Sequence, residues 1–276
     1  MIESRDNYLE LLKNVLLDMH RIGKNEYVPV SQVTLFGKQK IWGMLDKLIR
    51  PRRMAICREV KSSREQRWNG LDWPANADSM IGMKRMNNIE FCVKEVIRNQ
   101  VPGDLIETGV WRGGATILMR AILHAMNDKT RTVFVADSFE GLPKPDDKYA
   151  ADRGDIHFIY KELAIPLEEV MHNFDKYGLL DNQVKFLKGW FKDTLPHAPI
   201  EQLAVARLDG DMYESTMDAL TYLYPKLSAG GFIIIDDWGA VEGCRKAVID
   251  YREANGITDK IQEIGDGIGV YWKREQ

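Results

Sequence analysis

With 276 residues, 45% of them hydrophobic and 29% charged, the chain has a globular composition and the length for one large α/β domain or a domain with an appendage. Its formal charge of −3 excludes a global pull toward nucleic acid or anionic lipid. Cys57, Cys92 and Cys244 are widely spaced and form no Cys-x-x-Cys pair, which argues against a disulfide framework or a cysteine zinc site and fits a reducing compartment. No apolar run reaches membrane-spanning length and the start carries no signal-like stretch, so a cytoplasmic chain without membrane contact is expected.

In chain order, Tyr8, Leu12, Val15, Leu16 and Met19 recur at helical spacing and predict an amphipathic helix starting near Asp6. Residues 38–67 carry ten Lys or Arg against three Asp or Glu. Without a platform of interleaved aromatics, that run reads as a solvated face rather than a nucleic-acid arm. Residues 68–76, with Gly70 and Pro74, read as a loop. Residues 1–78 are therefore expected to form a helical and loop extension, on the acceptor side of a site or in oligomer contacts.

Residues 79–276 alternate between helix and strand. Helices are predicted over 81–98, 114–126, 167–177, 215–227 and 244–254. Strands are predicted over 104–108, 132–136, 184–187, 203–208 and 232–235, with the turn Ala229-Gly230-Gly231 ahead of the last. Two final strands, over 260–264 and 269–273, join through Asp266-Gly267. Such alternation implies a doubly wound, Rossmann-like, mainly parallel α/β sheet with helices on both faces.

The chemistry collects at the ends of those strands. The first strand runs into Glu107-Thr108-Gly109-Val110-Trp111-Arg112-Gly113-Gly114. Glycines there allow close backbone approach to a nucleotide-like ligand, and equally a plain tight turn. The spacing is not Gly-x-Gly-x-x-Gly, and a glutamate in the turn suits a cationic or amino group better than pyrophosphate. Asp137 ends the second strand, where a carboxylate can hold both hydroxyls of a ribose or cap a helix. The polar connection after it, to about residue 160, is long enough for a substrate lid. Trp190 and Phe191 follow the third strand and could flank adenine as readily as fill the core. The fourth strand ends in Asp209-Gly210-Asp211 and the fifth in Asp236-Asp237. Two strands delivering acids to one sheet edge could converge on a hard divalent cation, although each acid alone could be an exposed loop residue or a cap.

Taken in order, these pieces resemble S-adenosylmethionine-dependent methyltransferases, and more narrowly the macrocin O-methyltransferase family. The resemblance is carried by 104–114, Asp137-Ser138-Phe139-Glu140-Gly141-Leu142-Pro143, Asn173-Phe174, Tyr177-Gly178-Leu179-Leu180, 189–193, 208–216 and Asp236-Asp237. Met80 to Arg85 and the helix around Tyr8 also fit, so nearly the whole chain is covered. The resemblance implies a cytoplasmic enzyme that methylates a sugar hydroxyl of a glycosylated natural product such as an antibiotic. It implies that Glu107, Thr108 and Gly109 line the methionine part of S-adenosyl-L-methionine, that Asp137 holds the ribose, and that Ser138 and Trp190 enclose the adenosine. Asp209, also touching the cofactor, would bind Mg²⁺ with Asp236 and Asp237. The metal would hold the acceptor hydroxyl and lower its pKa. Related metal-dependent catechol methyltransferases place a lysine base shortly after the first aspartate. Met212 stands there, which leaves Asp209, or His157 from the lid, as the candidate base.

Other readings stay open on sequence alone. The acceptor could be a phenol or a polysaccharide, or the chain could be a non-enzymatic binding module on the same fold. A nucleic-acid partner is not expected. The regiochemistry and any self-association are undetermined.

Overall fold

The computed structural model describes residues 2–61 and 63–275. Helix α1 (Ile2–Leu16) is followed by strand β1 (Glu26–Pro29), α2 (Lys40–Ile49), β2 (Cys57–Val60) and α3 (Arg64–Asn69). The α/β part then runs α4 (Gly82–Arg98), β3 (Asp104–Thr108), α5 (Gly114–Ala125), β4 (Val133–Asp137), α6 (Leu167–Lys176), β5 (Val184–Lys188), α7 (Phe191–Thr194) and β6 (Leu203–Leu208). It closes with α8 (Tyr213–Leu223), β7 (Leu227–Ile235), α9 (Glu242–Ala254), β8 (Gln262–Glu263) and β9 (Val270–Lys273).

The seven-stranded sheet has the order β5-β4-β3-β6-β7-β9-β8. Its first five strands are parallel, and β9 and β8 are added antiparallel. The chain leaves β3 toward β4 and β5, then crosses back to lay β6 on the other side of β3. That reversal makes a topological switch point, and the crevice outside the strand ends there is where such sheets bind ligands.

Side-chain alternation sorts the core into two layers. Leu105 joins the apolar cluster under α1, α4 and α5, and its neighbour Ile106 joins the cluster under α8 and α9. The buried strands are Val-, Ile- and Leu-rich, as two-sided coverage requires. One expectation needs correcting. Ala229-Gly230-Gly231 is not a turn before the fifth strand but an irregular stretch inside β7, where the register against β6 shifts. Gly230, at φ 84°, absorbs that bulge.

The N-terminal part is tied firmly to this core. Leu9, Leu12, Leu16 and Leu17 belong to the same buried cluster as α4 and α5. β1 and β2 form a small antiparallel pair that the sequence pattern does not predict. Nine of the ten basic residues in 38–67 are exposed, as a solvated face demands. The tenth, Arg67, is fully buried and links Glu26 (2.9 Å), Asp72 (2.7 Å) and the Leu17 carbonyl (2.8 Å). Among the described residues no helix is long and apolar enough to cross a membrane.

Candidate active site

A cavity of about 400 Å³ opens at the switch point, lined by residues from the ends of β3, β4, β6 and β7. That volume is in the range of small-molecule sites. Its floor is the meeting of two strand ends. The amide of Asp209 donates to the Thr108 carbonyl and that of Gly109 to the Ala136 carbonyl, each at 2.8 Å. Gly109 has φ 82°, and a Cβ built there would stand 1.7 Å from the Asp209 carbonyl oxygen. Only glycine fits.

The turn beyond Gly109 is strained as well as tight. Trp111 (φ 47°), Phe139 (φ 59°) and Asp211 (φ 57°) are non-glycine residues in the left-handed region, all beside this cavity. Such conformations persist only where their surroundings enforce them, and they cluster at functional sites. The Trp111 indole N–H donates to the Glu162 carbonyl at 2.8 Å, which fastens the turn to the connection between β4 and α6.

On the β3–β4 side, Glu107 is buried and one of its oxygens pairs with Arg207. Its other oxygen, Oε2, has no protein partner although the residue lines the cavity. Burial raises its pKa to about 8, with Arg207 opposing. Asp137 accepts from the amides of Val110 (2.8 Å) and Phe139 (2.7 Å). Burial raises its pKa too, and those backbone donors restrain the rise. The Trp111 amide also favours its charged form, and the Ser138 hydroxyl lies 3.4 Å from Oδ1. Ser138 shapes the loop by donating to the Gly141 carbonyl at 2.7 Å, and Trp190 lines the cavity just ahead of α7.

On the β6–β7 side the carboxylates outnumber their partners. Single oxygens of Asp209, Asp211 and Asp237 lie within 4.8 Å of one another. Asp209 accepts from Arg207 at 2.9 Å, and Asp237 accepts from the Asp211 amide at 3.2 Å. Burial, then the neighbouring Asp236, raises Asp209 to a pKa of about 6. Burial and Asp209 raise Asp211 to about 7, and burial and Asp211 push Asp237 well above the carboxylate range. Asp236 faces differently: its two oxygens pair with Arg207 and Arg85, and Arg85 also meets Asp266 at 2.9 Å. Burial disfavours the charge on Arg207, but Asp236, Asp209 and Glu107 together hold it protonated.

All but one of the expected cofactor and metal residues reach the cavity. Glu107, Gly109, Asp137, Ser138, Trp190, Asp209, Asp236 and Asp237 all line one cavity. Thr108 does not: it is fully buried in β3, its hydroxyl unpartnered and away from the lining. Asp236 lines the cavity but is held by two arginines, and Asp211 stands in the three-acid cluster where Asp236 was expected. Arg207 and Arg85 escaped the sequence reading. The signal was present for Arg207, since a cation inside the apolar run Leu203–Leu208 needs buried counter-charges.

His157 also lines the cavity, and its Nδ1 lies 2.8 Å from Asp155. The polar connection between β4 and α6 contains short turns at Ala150–Asp152, His157–Ile159 and Lys161–Leu163. Buried Asp152 accepts from the amides of Tyr213 (2.6 Å) and Glu214 (3.0 Å) at the start of α8. The segment is therefore docked onto the helix that follows the acid loop.

A family model described as macrocin O-methyltransferase matches residues 5–274. The chain belongs to the macrocin O-methyltransferase family. A relative from Streptomyces olivaceus, 8-demethyl-8-(2,3-dimethoxy-alpha-L-rhamnosyl)-tetracenomycin-C 4'-O-methyltransferase, is 58% identical over 206 residues, 74% of this chain and 78% of that protein. Demethyldecarbamoylnovobiocin O-methyltransferase of Streptomyces niveus is 58% identical over 212 residues, 76% of this chain and 80% of its own length. The solved structure of the O-methyltransferase NovP superposes with a TM-score of 0.81 at 47% identity, covering 99% of this chain and 100% of that one. As a member of the macrocin O-methyltransferase family, the chain is an O-methyltransferase on a Rossmann-like sheet.

Proposed function

We propose that the chain moves the methyl group of S-adenosylmethionine to a sugar hydroxyl of a glycosylated natural product, in the cytoplasm, with Mg²⁺ at the acid cluster. The acceptor class is supported by the relatives, whose names specify a dimethoxy-rhamnosyl-tetracenomycin and demethyldecarbamoylnovobiocin. The observation that carries the reading is the charge of the cavity. Glu107, Asp209, Asp211, Asp236 and Asp237 line it, against the guanidinium groups of Arg85 and Arg207. That surplus suits a sulfonium donor with an ammonium group and a hard divalent cation.

The unpartnered Oε2 of Glu107 would accept from the donor's amino group, and Asp137 at the end of β4 would accept from its ribose hydroxyls. Trp190 would cover the adenine. Asp209 and Asp237 would hold the metal, with Asp211 the third carboxylate in reach and Asp236 kept beside them by its arginines. Bound there, Mg²⁺ would supply Lewis-acid polarisation of the acceptor hydroxyl. The acceptor oxygen bonds to the methyl carbon as the carbon–sulfur bond breaks, and the hydroxyl proton passes to Asp209. His157 is the second candidate, because Asp155 fixes one ring nitrogen and the residue lines the same cavity.

Incubation with methyl-labelled S-adenosylmethionine and a panel of glycosides, phenols and polysaccharides tests the reading. Label should appear on a sugar oxygen of a glycosylated small molecule. Transfer only to a phenol or a polysaccharide would contradict it.

A further inference from the structure

Trp73 and His157 line the same cavity as the acids, and each has its ring against that of Tyr160. The Tyr160 ring meets both Trp73 and Phe36, its centroid 5.4 Å from the first and 6.2 Å from the second, both edge-on. Phe36 and Trp73 are nevertheless 49% and 44% exposed, and Leu71 beside them is 56% exposed. Contiguous exposed aromatics adjoining a cavity mouth call for a ligand explanation more than scattered surface ones do.

The rings are also held in place. Thr34 donates from its amide (3.0 Å) and hydroxyl (2.8 Å) to the Glu162 carboxylate, and its hydroxyl accepts the Lys161 amide at 2.9 Å. The Glu162 carbonyl in turn receives the Trp111 indole N–H from the glycine-rich turn. The segments that carry Phe36 and Tyr160 are thus fastened to each other and to the glycine-rich turn, and Trp73 packs edge-on against Tyr160. Rings fixed in this way lose little entropy on binding.

We propose that Phe36, Trp73 and Tyr160 form a shelf for the aglycone of the acceptor, the planar or apolar scaffold that carries the sugar. The inference rests on the glycoside reading above. A sugar is polar and suits the carboxylate end of the cavity, whereas its scaffold is apolar. The site has the same two-part character, with carboxylates inside and aromatic surface at the mouth. The shelf would select glycosides with a large hydrophobic scaffold over free or simply alkylated sugars.

The test compares two probes, methyl α-L-rhamnoside and 4-nitrophenyl α-L-rhamnoside, titrated by ligand-observed NMR with S-adenosylhomocysteine and Mg²⁺ present. In the unaltered protein the aryl glycoside should bind about tenfold more tightly. In Trp73→Ala and Tyr160→Ala that advantage should fall below about threefold while the methyl glycoside keeps its affinity, and Trp73→Phe should retain most of it. Equal affinity for both probes in the unaltered protein, binding of neither, or equal weakening of both in Trp73→Ala would overturn the shelf. Labelled methyl transfer is followed in the same samples. An intact aryl preference without any transfer to sugar oxygen would count against the methylation reading and leave the shelf standing.

Discussion

On the β3–β4 side of the cavity Asp137 is met by the backbone N–H groups of Val110 and Phe139, and the turn is fixed by the close approach of Gly109 to Asp209. On the β6–β7 side Asp209, Asp211 and Asp237 face one another, and among these three Arg207 pairs only with Asp209. In the first half backbone donors organise Asp137 while Glu107 keeps one oxygen without a protein partner; in the second, three crowded carboxylates raise one another's proton affinity. The half organised by backbone should respond to substitution through affinity, and the half of crowded carboxylates should respond through chemistry and cations.

Arg207 joins the halves, so its loss should have the largest effect. Arg207→Met would leave Glu107, Asp209 and Asp236 without their shared cation in a buried setting. Denaturant unfolding should show a loss of about 3–5 kcal/mol. A loss below about 1 kcal/mol, the range of exposed ion pairs, would mean that the two halves are electrostatically independent.

Asp137→Ala should sharpen the contrast from the other side. Affinity for S-adenosylhomocysteine should fall by roughly tenfold or more, from charge-assisted hydrogen bonds worth about 1.5–3 kcal/mol each. Mg²⁺ dependence should be unchanged. Unaltered nucleoside affinity in calorimetry would remove Asp137 from the cofactor half.

The smallest effect is a pH-dependent response to cations. Asp209, at about 6, and Asp211, at about 7, bind protons more tightly in the folded chain than in the unfolded one. Their contribution is therefore most favourable below about pH 4, the unfolded value, and is lost as pH rises through the folded values. A divalent cation competes with those protons. Saturating Mg²⁺ should raise Tm by roughly 3–8 °C at pH 8 and by much less at pH 5. Identical shifts at the two pH values would mean that the cation binds elsewhere.

The fold was legible because its strands carry their signal locally. Leu203–Leu208 and Asp104–Thr108 are short apolar runs bounded by turn residues, and both lie where their composition puts them. The β1–β2 pair was not legible, since its register is set by contacts such as Arg67 with Glu26 that no local pattern announces. At the site, the strand ends located the acids but not their directions. Asp236 and Asp237 are adjacent, yet one pairs with Arg85 and Arg207 while the other joins Asp209 and Asp211. Successive residues at a strand end point to opposite sides, so which acid meets which partner depends on tertiary neighbours. Thr108 shows the same dependence, lying buried between cavity-lining Glu107 and Gly109.

The most direct measurement is methyl transfer to a sugar hydroxyl with and without EDTA, in the unaltered protein and in Asp209→Asn. Turnover should stop in EDTA and return with Mg²⁺. Asp209→Asn should lose about a hundredfold or more in rate while S-adenosylhomocysteine affinity changes less than about threefold. Full turnover in EDTA, or a loss of nucleoside affinity as large as the loss of rate, would contradict the division between a cofactor half and a catalytic half of crowded carboxylates.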